Sequence, residues 1–126
     1  MPRDQIKACI EACNACAQAC DQCAAACLKE KKVRMLGRCI SLDIDCAGLC
    51  RLAVNYLSRE SECIATICGS CAEVCDACAD ECAKHTNMEH CRACAEACRR
   101  CAQECRRMAG AGAQGAPRRE ARASAH

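Results

Sequence analysis

The sequence predicts an all-α protein, an antiparallel up-down-up-down four-helix bundle with a cysteine-lined core. Three observations carry this. In three segments the cysteines step by three and four residues, which is the a and d seam of a helical heptad. Between them stand mostly Ala, Glu, Gln, Asp and Arg, with no interior proline and one interior glycine, Gly69. The stretches joining the segments are two or three residues long, and short loops between long helices force antiparallel neighbours.

The first helix is expected over residues 4–29 and carries Cys9, Cys13, Cys16, Cys20, Cys23 and Cys27. After Glu30–Lys32, the second runs over 33–58 with a sparser stripe: Leu36, Cys39, Asp43, Cys46, Cys50, Ala53 and Leu57. It also owns Ile40, Leu42, Ile44, Leu49, Leu52 and Val54, so apolar surface covers far more than one stripe. A helix apolar over most of its circumference has a second burial partner, and another subunit is expected there. The third helix, 60–84, holds Cys63, Cys68, Cys71, Cys75, Cys78 and Cys82, with Ser58 and Ser61 as candidate caps. Cys63 stands five residues before Cys68 and leaves the stripe, so it is expected as a peripheral ligand at the bundle end. The fourth helix, 87–108, holds Cys91, Cys94, Cys98, Cys101 and Cys105, capped by Thr86 or Asn87. Residues 1–108 thus form one domain. Residues 109–126, Gly/Ala-rich and then basic with Pro117, are expected to be a flexible basic tail without chemistry.

Composition agrees and excludes other classes. The 126 residues hold no Phe, no Trp and one Tyr, and only 15 Leu, Ile and Val together. Such a shortage of large apolar residues signals disorder when net charge is high, but here the net charge is +2. Instead 26 Ala and 20 Cys supply the apolar content, and the cysteine share is far above the ~8–10 % that marks a cysteine-based scaffold. Residues 1–108 balance 15 basic against 15 acidic side chains. With no aromatic residues to stack on bases, nucleic acid is not an expected partner. No apolar run approaches ~18 residues, so no membrane span is expected. Met-Pro-Arg-Asp-Gln leads into a charged, cysteine-dotted segment without an apolar core, so no signal peptide is expected. The expected location is the cytoplasm, where thiols stay reduced.

One or two buried cysteines act as small hydrophobes, but twenty on shared helical faces gain nothing in packing over leucine. Neighbours on one seam project nearly in parallel, a poor geometry for disulfides. Thiol oxidoreductases place C-x-x-C at a helix start after a strand, and no strand-like segment exists; an enzyme is not expected. Metal binding remains, and all-thiolate sites select Cu(I), Zn(II) or iron–sulfur clusters. Zinc takes isolated tetrahedral groups. The fragment Cys13-x2-Cys16-x3-Cys20 imitates cluster ligation, but no Cys-Pro follows and the run does not stop at four. Cu(I) accepts two or three thiolates and lets one sulfur bridge two ions. Each Cu(I) also displaces one thiol proton and leaves a neutral unit in a low-dielectric core. The natural capacity is about one ion per cysteine, which is a store. The alternative is a general thiolate sink for Zn(II) or Cd(II), a detoxifying role like that of metallothionein.

The chain resembles the cytosolic copper storage proteins. The resemblance rests on the run Cys9 to Cys27, the segment Cys39-Ile-Ser-Leu-Asp43-Ile-Asp45-Cys46-Ala-Gly-Leu-Cys50, Cys78-Ala-Asp-Glu-Cys82, and His90-Cys91-Arg-Ala-Cys94-Ala-Glu-Ala-Cys98. It implies storage of many Cu(I) ions as thiolate clusters, in a tetramer of bundles. Asp43 falls on the inward stripe. From the residues alone it either turns to reach water or a loop partner, or faces the metal; the resemblance implies an oxygen ligand. His85, Met88 and His90 lie in or beside the third connection, at the same end as Met35. Two imidazoles and two thioethers there are expected to form a metal entrance, with His90 a candidate ligand. Ile6, Leu57, Ile64 and Met108 are expected to plug the opposite end.

Overall fold

The structure, a computed structural model, describes residues 2–115, with side chains to residue 110. Four helices make the architecture: α1 (Arg3–Cys27), α2 (Gly37–Ser58), α3 (Ile64–Cys82) and α4 (Glu89–Gly115). Single 3-10 turns, Val33–Leu36 and Ala83–His85, lead into α2 and out of α3. Each helix packs against two neighbours, with α1 diagonal to α3 and α2 to α4. The antiparallel sense shows in the cross-helix thiol pairs. Cys9 meets Cys105 while Cys27 meets Cys91, and Cys39 meets Cys82 while Cys50 meets Cys71.

The boundaries differ from the expected ones where the turns do their work. α2 begins at Gly37 rather than 33 because Val33–Leu36 takes the tighter 3-10 form. α3 begins at Ile64 rather than 60. Glu60 sits in the left-handed region (φ 50°) to reverse the chain, at about 1 kcal/mol for a residue with a Cβ, and Ser61 Oγ then accepts the Cys63 N–H at 3.0 Å. Ser58 ends α2 instead of capping α3. α4 continues through Ala109–Gly115, which the sequence assigned to the tail. Alanines extend an existing helix readily, since each further residue adds one hydrogen bond. Residues 116–126 of the expected tail lie outside the described residues.

Nineteen of the twenty cysteines are buried and Cys63 is exposed. Alanines 12, 17, 47, 53, 72, 79, 95 and 102 are buried beside them, and their small side chains let the helices approach until opposing thiols touch. Four large side chains, Ile6, Leu57, Ile64 and Met108, are buried at one end of the tube, and Leu36 alone among the described large aliphatics is buried at the other. Around α2, Ile40, Leu42, Leu49 and Val54 are half-buried against the core, whereas Ile44 and Leu52 are 60 % and 41 % exposed. Arg51–Asp21, Arg106–Asp76 and Arg99–Asp80 pair neighbouring helices across the surface. Such exposed pairs stabilise by under ~1 kcal/mol each.

Candidate metal centre

The thiols form a continuous column. Sulfur–sulfur distances between helices run from 3.5 Å (Cys39–Cys82, Cys46–Cys75) to 4.0 Å (Cys16–Cys75). Quartets whose ligand atoms lie within 4.8 Å of one another follow along the axis: Cys13, Cys71, Cys101 and Cys105; Cys16, Cys46, Cys50 and Cys75; Cys16, Cys20, Cys46 and Cys98; Cys20, Cys78, Cys94 and Cys98; and Cys23, Cys27, Cys91 with His90. Successive quartets share corners: Cys16 and Cys46 belong to two, as do Cys20 and Cys98. That follows from the sequence, since a 3–4 step on antiparallel helices lays each thiol between two levels of the facing seams. Every cysteine is a free thiol.

Burial and neighbouring sulfur perturb these thiols. Desolvation first, then the charges of Cys23 and Cys39, push Cys27 up to about 12. Cys91 is raised too, again by burial first. Cys23 is brought down to about 5 by hydrogen bonds from Cys39 and Cys82. A dry column carries few charges, so most thiols hold their protons until a cation replaces them.

Asp43 is fully buried. Its Oδ1 accepts hydrogen bonds from the Cys78, Cys94 and Cys82 thiols at 3.1, 3.3 and 3.7 Å, and its Oδ2 accepts from Cys39 at 4.0 Å. It therefore reaches neither water nor a loop partner, which removes one of the two sequence-based alternatives. Burial, then the nearby Cys94 charge and the Cys78 hydrogen bond, hold its carboxyl far above the usual carboxylate range.

At the end where α1 joins α2 and α3 joins α4, His90 Nδ1 lies 3.6–3.8 Å from the sulfurs of Cys91, Cys23 and Cys27. Its Nε2 lies 3.1 Å from Glu30 Oε2. Glu30 accepts from Nε2–H, which turns the Nδ1 lone pair toward the thiols. Burial opposes charge on His90, but the hydrogen bonds to Cys23 and Glu30 outweigh it and raise its pKa. Above it opens a cleft of about 760 Å³ lined by Lys29, Glu30, Lys31, Lys32, Met35, Leu36, Lys84, His85, Asn87 and Met88. Three of the four expected entrance residues thus meet in one cleft, and the fourth, His90, sits beneath it against the thiols. Met35 is the most exposed of them, at 67 %.

One placement agrees with the sequence reading and one finding goes beyond it. Cys63 precedes α3 on the surface at the closed end, outside the column. Glu81, unremarked in the sequence, is buried and takes Arg38 Nη1 at 2.8 Å, Lys84 Nζ at 3.3 Å and His85 Nε2 at 3.2 Å. Desolvation alone would raise its pKa, but the Arg38, His85 and Lys84 hydrogen bonds prevail and lower it. Its signal was its place three residues after Cys78 and one before Cys82, beside the seam.

A helical bundle whose core consists of soft metal ligands with shared corners, closed at one end and open at the other, is a metal-holding protein of high capacity. The copper storage protein family model matches residues 2–110, and the chain belongs to that family. It is 48 % identical over 86 residues to the cysteine-rich protein YhjQ of Bacillus subtilis (strain 168), spanning 68 % of this chain and 79 % of that one. Among solved structures it is similar to the Cu(I)-bound copper storage protein BsCsp3, with 47 % identity, TM-score 0.79, and 83 % and 98 % of the two chains covered. It is also similar to a cytosolic copper storage protein from Streptomyces lividans carrying five coppers, with 47 % identity, TM-score 0.83, and 86 % and 94 % covered.

Proposed function

We propose that this protein stores Cu(I) in the cytosol as thiolate clusters along its core, at about one ion per core cysteine. One observation carries the stoichiometry: the thiol quartets share corners. Cu(I) uses a sulfur that bridges two ions, whereas Zn(II) takes four thiolates to itself. At the same loading of one ion per thiol, a divalent ion would also leave positive charge in a dry core. As each Cu(I) enters, one thiol proton leaves, so the core stays near neutral while it fills. The protein is a store and not an enzyme.

Asp43 is an added ligand or an acceptor that orients Cys78 and Cys94 toward copper. Met35, His85 and Met88 pass ions toward His90, which with Cys23, Cys27 and Cys91 makes the first station. Thioethers and neutral imidazoles bind Cu(I) more weakly than thiolate and lose no proton, as a transfer site requires. The exposed Ile44 and Leu52 on α2, with Gly48 between them meeting nothing within 4 Å of an added Cβ, support subunit packing in a homotetramer. Ile44→Glu with Leu52→Glu should yield monomers in sedimentation.

Anaerobic Cu(I) titration tests the storage reading. Near 19 ions per chain should bind with close to one proton released each, the apo-protein should already be helical by circular dichroism, and copper should raise its melting temperature. Saturation at four to seven metals would overturn storage and favour separate zinc-like sites.

A further inference from the structure

The entrance of this cation store is ringed by cations. Lys29, Lys31, Lys32 and Lys84 line the cleft against a single acidic side chain, Glu30. Glu30 is already engaged by His90, and Lys84 by Glu81. Lys29, Lys31 and Lys32 have no carboxylate partner within 4.0 Å among the described residues. Elsewhere on the bundle Arg51, Arg99 and Arg106 each pair with a carboxylate on a neighbouring helix. Such a field repels a bare Cu(I) ion and concentrates anions in a concave space of about 760 Å³, within the ~300–1,000 Å³ of small-molecule sites.

We propose that the cleft binds copper as an anionic Cu(I) complex of a small carboxylate-bearing thiol, and that the lysines hold its carboxylates while the ion is passed down to His90 and Cys27. This rests on the storage reading and names the form in which the metal arrives. Exchange balances without any change of oxidation state. A complex with two external thiolates, net −1 at the metal, meets one protein thiol. A Cu–S(Cys) bond forms and both external Cu–S bonds break. One external ligand leaves with the displaced proton as a thiol and the other leaves as a thiolate carrying the negative charge. Glu30 stands where the cleft meets the column, its Oε2 3.1 Å from His90 Nε2, and His90 Nδ1 is 3.8 Å from Cys27.

Stopped-flow ultraviolet absorption of the new Cu–thiolate bonds provides the test. Full-length apo-protein is mixed anaerobically with Cu(I) bound to glutathione, which carries two carboxylates, or to cysteamine, which carries an ammonium. Wild type should load about tenfold faster from the glutathione complex at low salt, and the gap should shrink at 0.5 M salt, where screening lengths fall to a few ångströms. Lys29→Glu/Lys31→Glu/Lys32→Glu should reverse the preference while equilibrium capacity stays at the wild-type value. Glutathione sulfonate, which has the charges but no thiol, should slow loading of wild type and not of the triple variant. Equal rates from the two complexes, or an equal slowing of both by the triple variant, overturn the proposal and leave the capacity untouched. A capacity far below one ion per core cysteine in the same samples would instead defeat the storage reading.

Discussion

The two ends of the bundle are built from opposite materials. At the closed end, Ile6, Leu57, Ile64 and Met108 are buried, one from each of the four helices. At the open end, Met35, His85 and Met88 line a lysine-rimmed cleft, and His90 reaches through it to the first thiols. Bulk apolar side chains exclude water and ions alike, while soft donors of weak affinity pass an ion on. On the proposed entry route the difference gives the column a direction, with a gate at one end and a stopper at the other.

The largest expected effect lies at the stopper. Leu57→Ala should cost the apo-protein about 2–5 kcal/mol, because the thiol core has few large side chains to relax into the gap. Met35→Ala, on exposed surface, should change stability by less than ~0.5 kcal/mol. Urea midpoints at constant m compare the two, and equal losses would break the contrast between the ends.

Asp43 stands between them, and its sign follows from its raised pKa. The fold keeps the carboxyl protonated, whereas the unfolded chain releases the proton above its ordinary value of 3.8. Apo stability from this group therefore falls as pH rises above about 4. Asp43→Asn should be more stable than wild type at pH 7 by about 1–4 kcal/mol, a gain that vanishes near pH 4. Urea titrations of the metal-free protein across that range read it.

A smaller effect is kinetic. Replacing Met35, His85, Met88 and His90 together by Ala should slow copper removal by a competing chelator about tenfold, equivalent to ~1.4 kcal/mol, while saturation falls by no more than the one station His90 serves. Met108→Ala is the matched variant at the other end. Faster exchange in Met108→Ala than in wild type would show that the stopper can be made to leak.

The smallest concerns the strut beside the gate. Glu81→Gln should cost about 1 kcal/mol at pH 7 by weakening the charge-assisted bonds to Arg38, Lys84 and His85. Because the Glu81 pKa is lowered below its ordinary 4.5, its contribution is present above that pH and is lost as pH falls through the folded value. Wild type and variant should therefore converge on acidification. Thermal melts at pH 7 and pH 3.5 measure it.

The residues themselves show what could be read in advance. The 3–4 cysteine step announced both helix and inward face, because one period fixes backbone and orientation together. The stopper was legible for the same reason, since four large apolar residues stand at helix ends that up-down topology brings to one side. Cys63 was legible as peripheral from its five-residue step, whereas its place before α3 rather than within it was not, because the left-handed Glu60 and the Ser61 turn delay the helix start. The orientation of Asp43 was undecided, since a stripe position says inward without naming the neighbours. Glu81 and the lysine ring were not singled out, although the topology sets both connections at one end, because which side chains turn inward there and which line the cleft is fixed only by packing.

The concentration of bulk at the closed end also bears on how the chain folds and breathes. The α2–α3 turn lies there, bringing Leu57 and Ile64 together over a short loop, so the lowest entropy of closure and the largest apolar contacts coincide. That end is therefore expected to fold first, with the thiol column closing from it toward the gate. Amide protons near Ala53 and Ile67 should then exchange only through global unfolding, whereas those near Gly37 and Cys91 exchange through local fraying. With that exchange pattern the metal-free molecule would open by degrees from the gate downward, and ions entering there would close the part of the fold that is weakest.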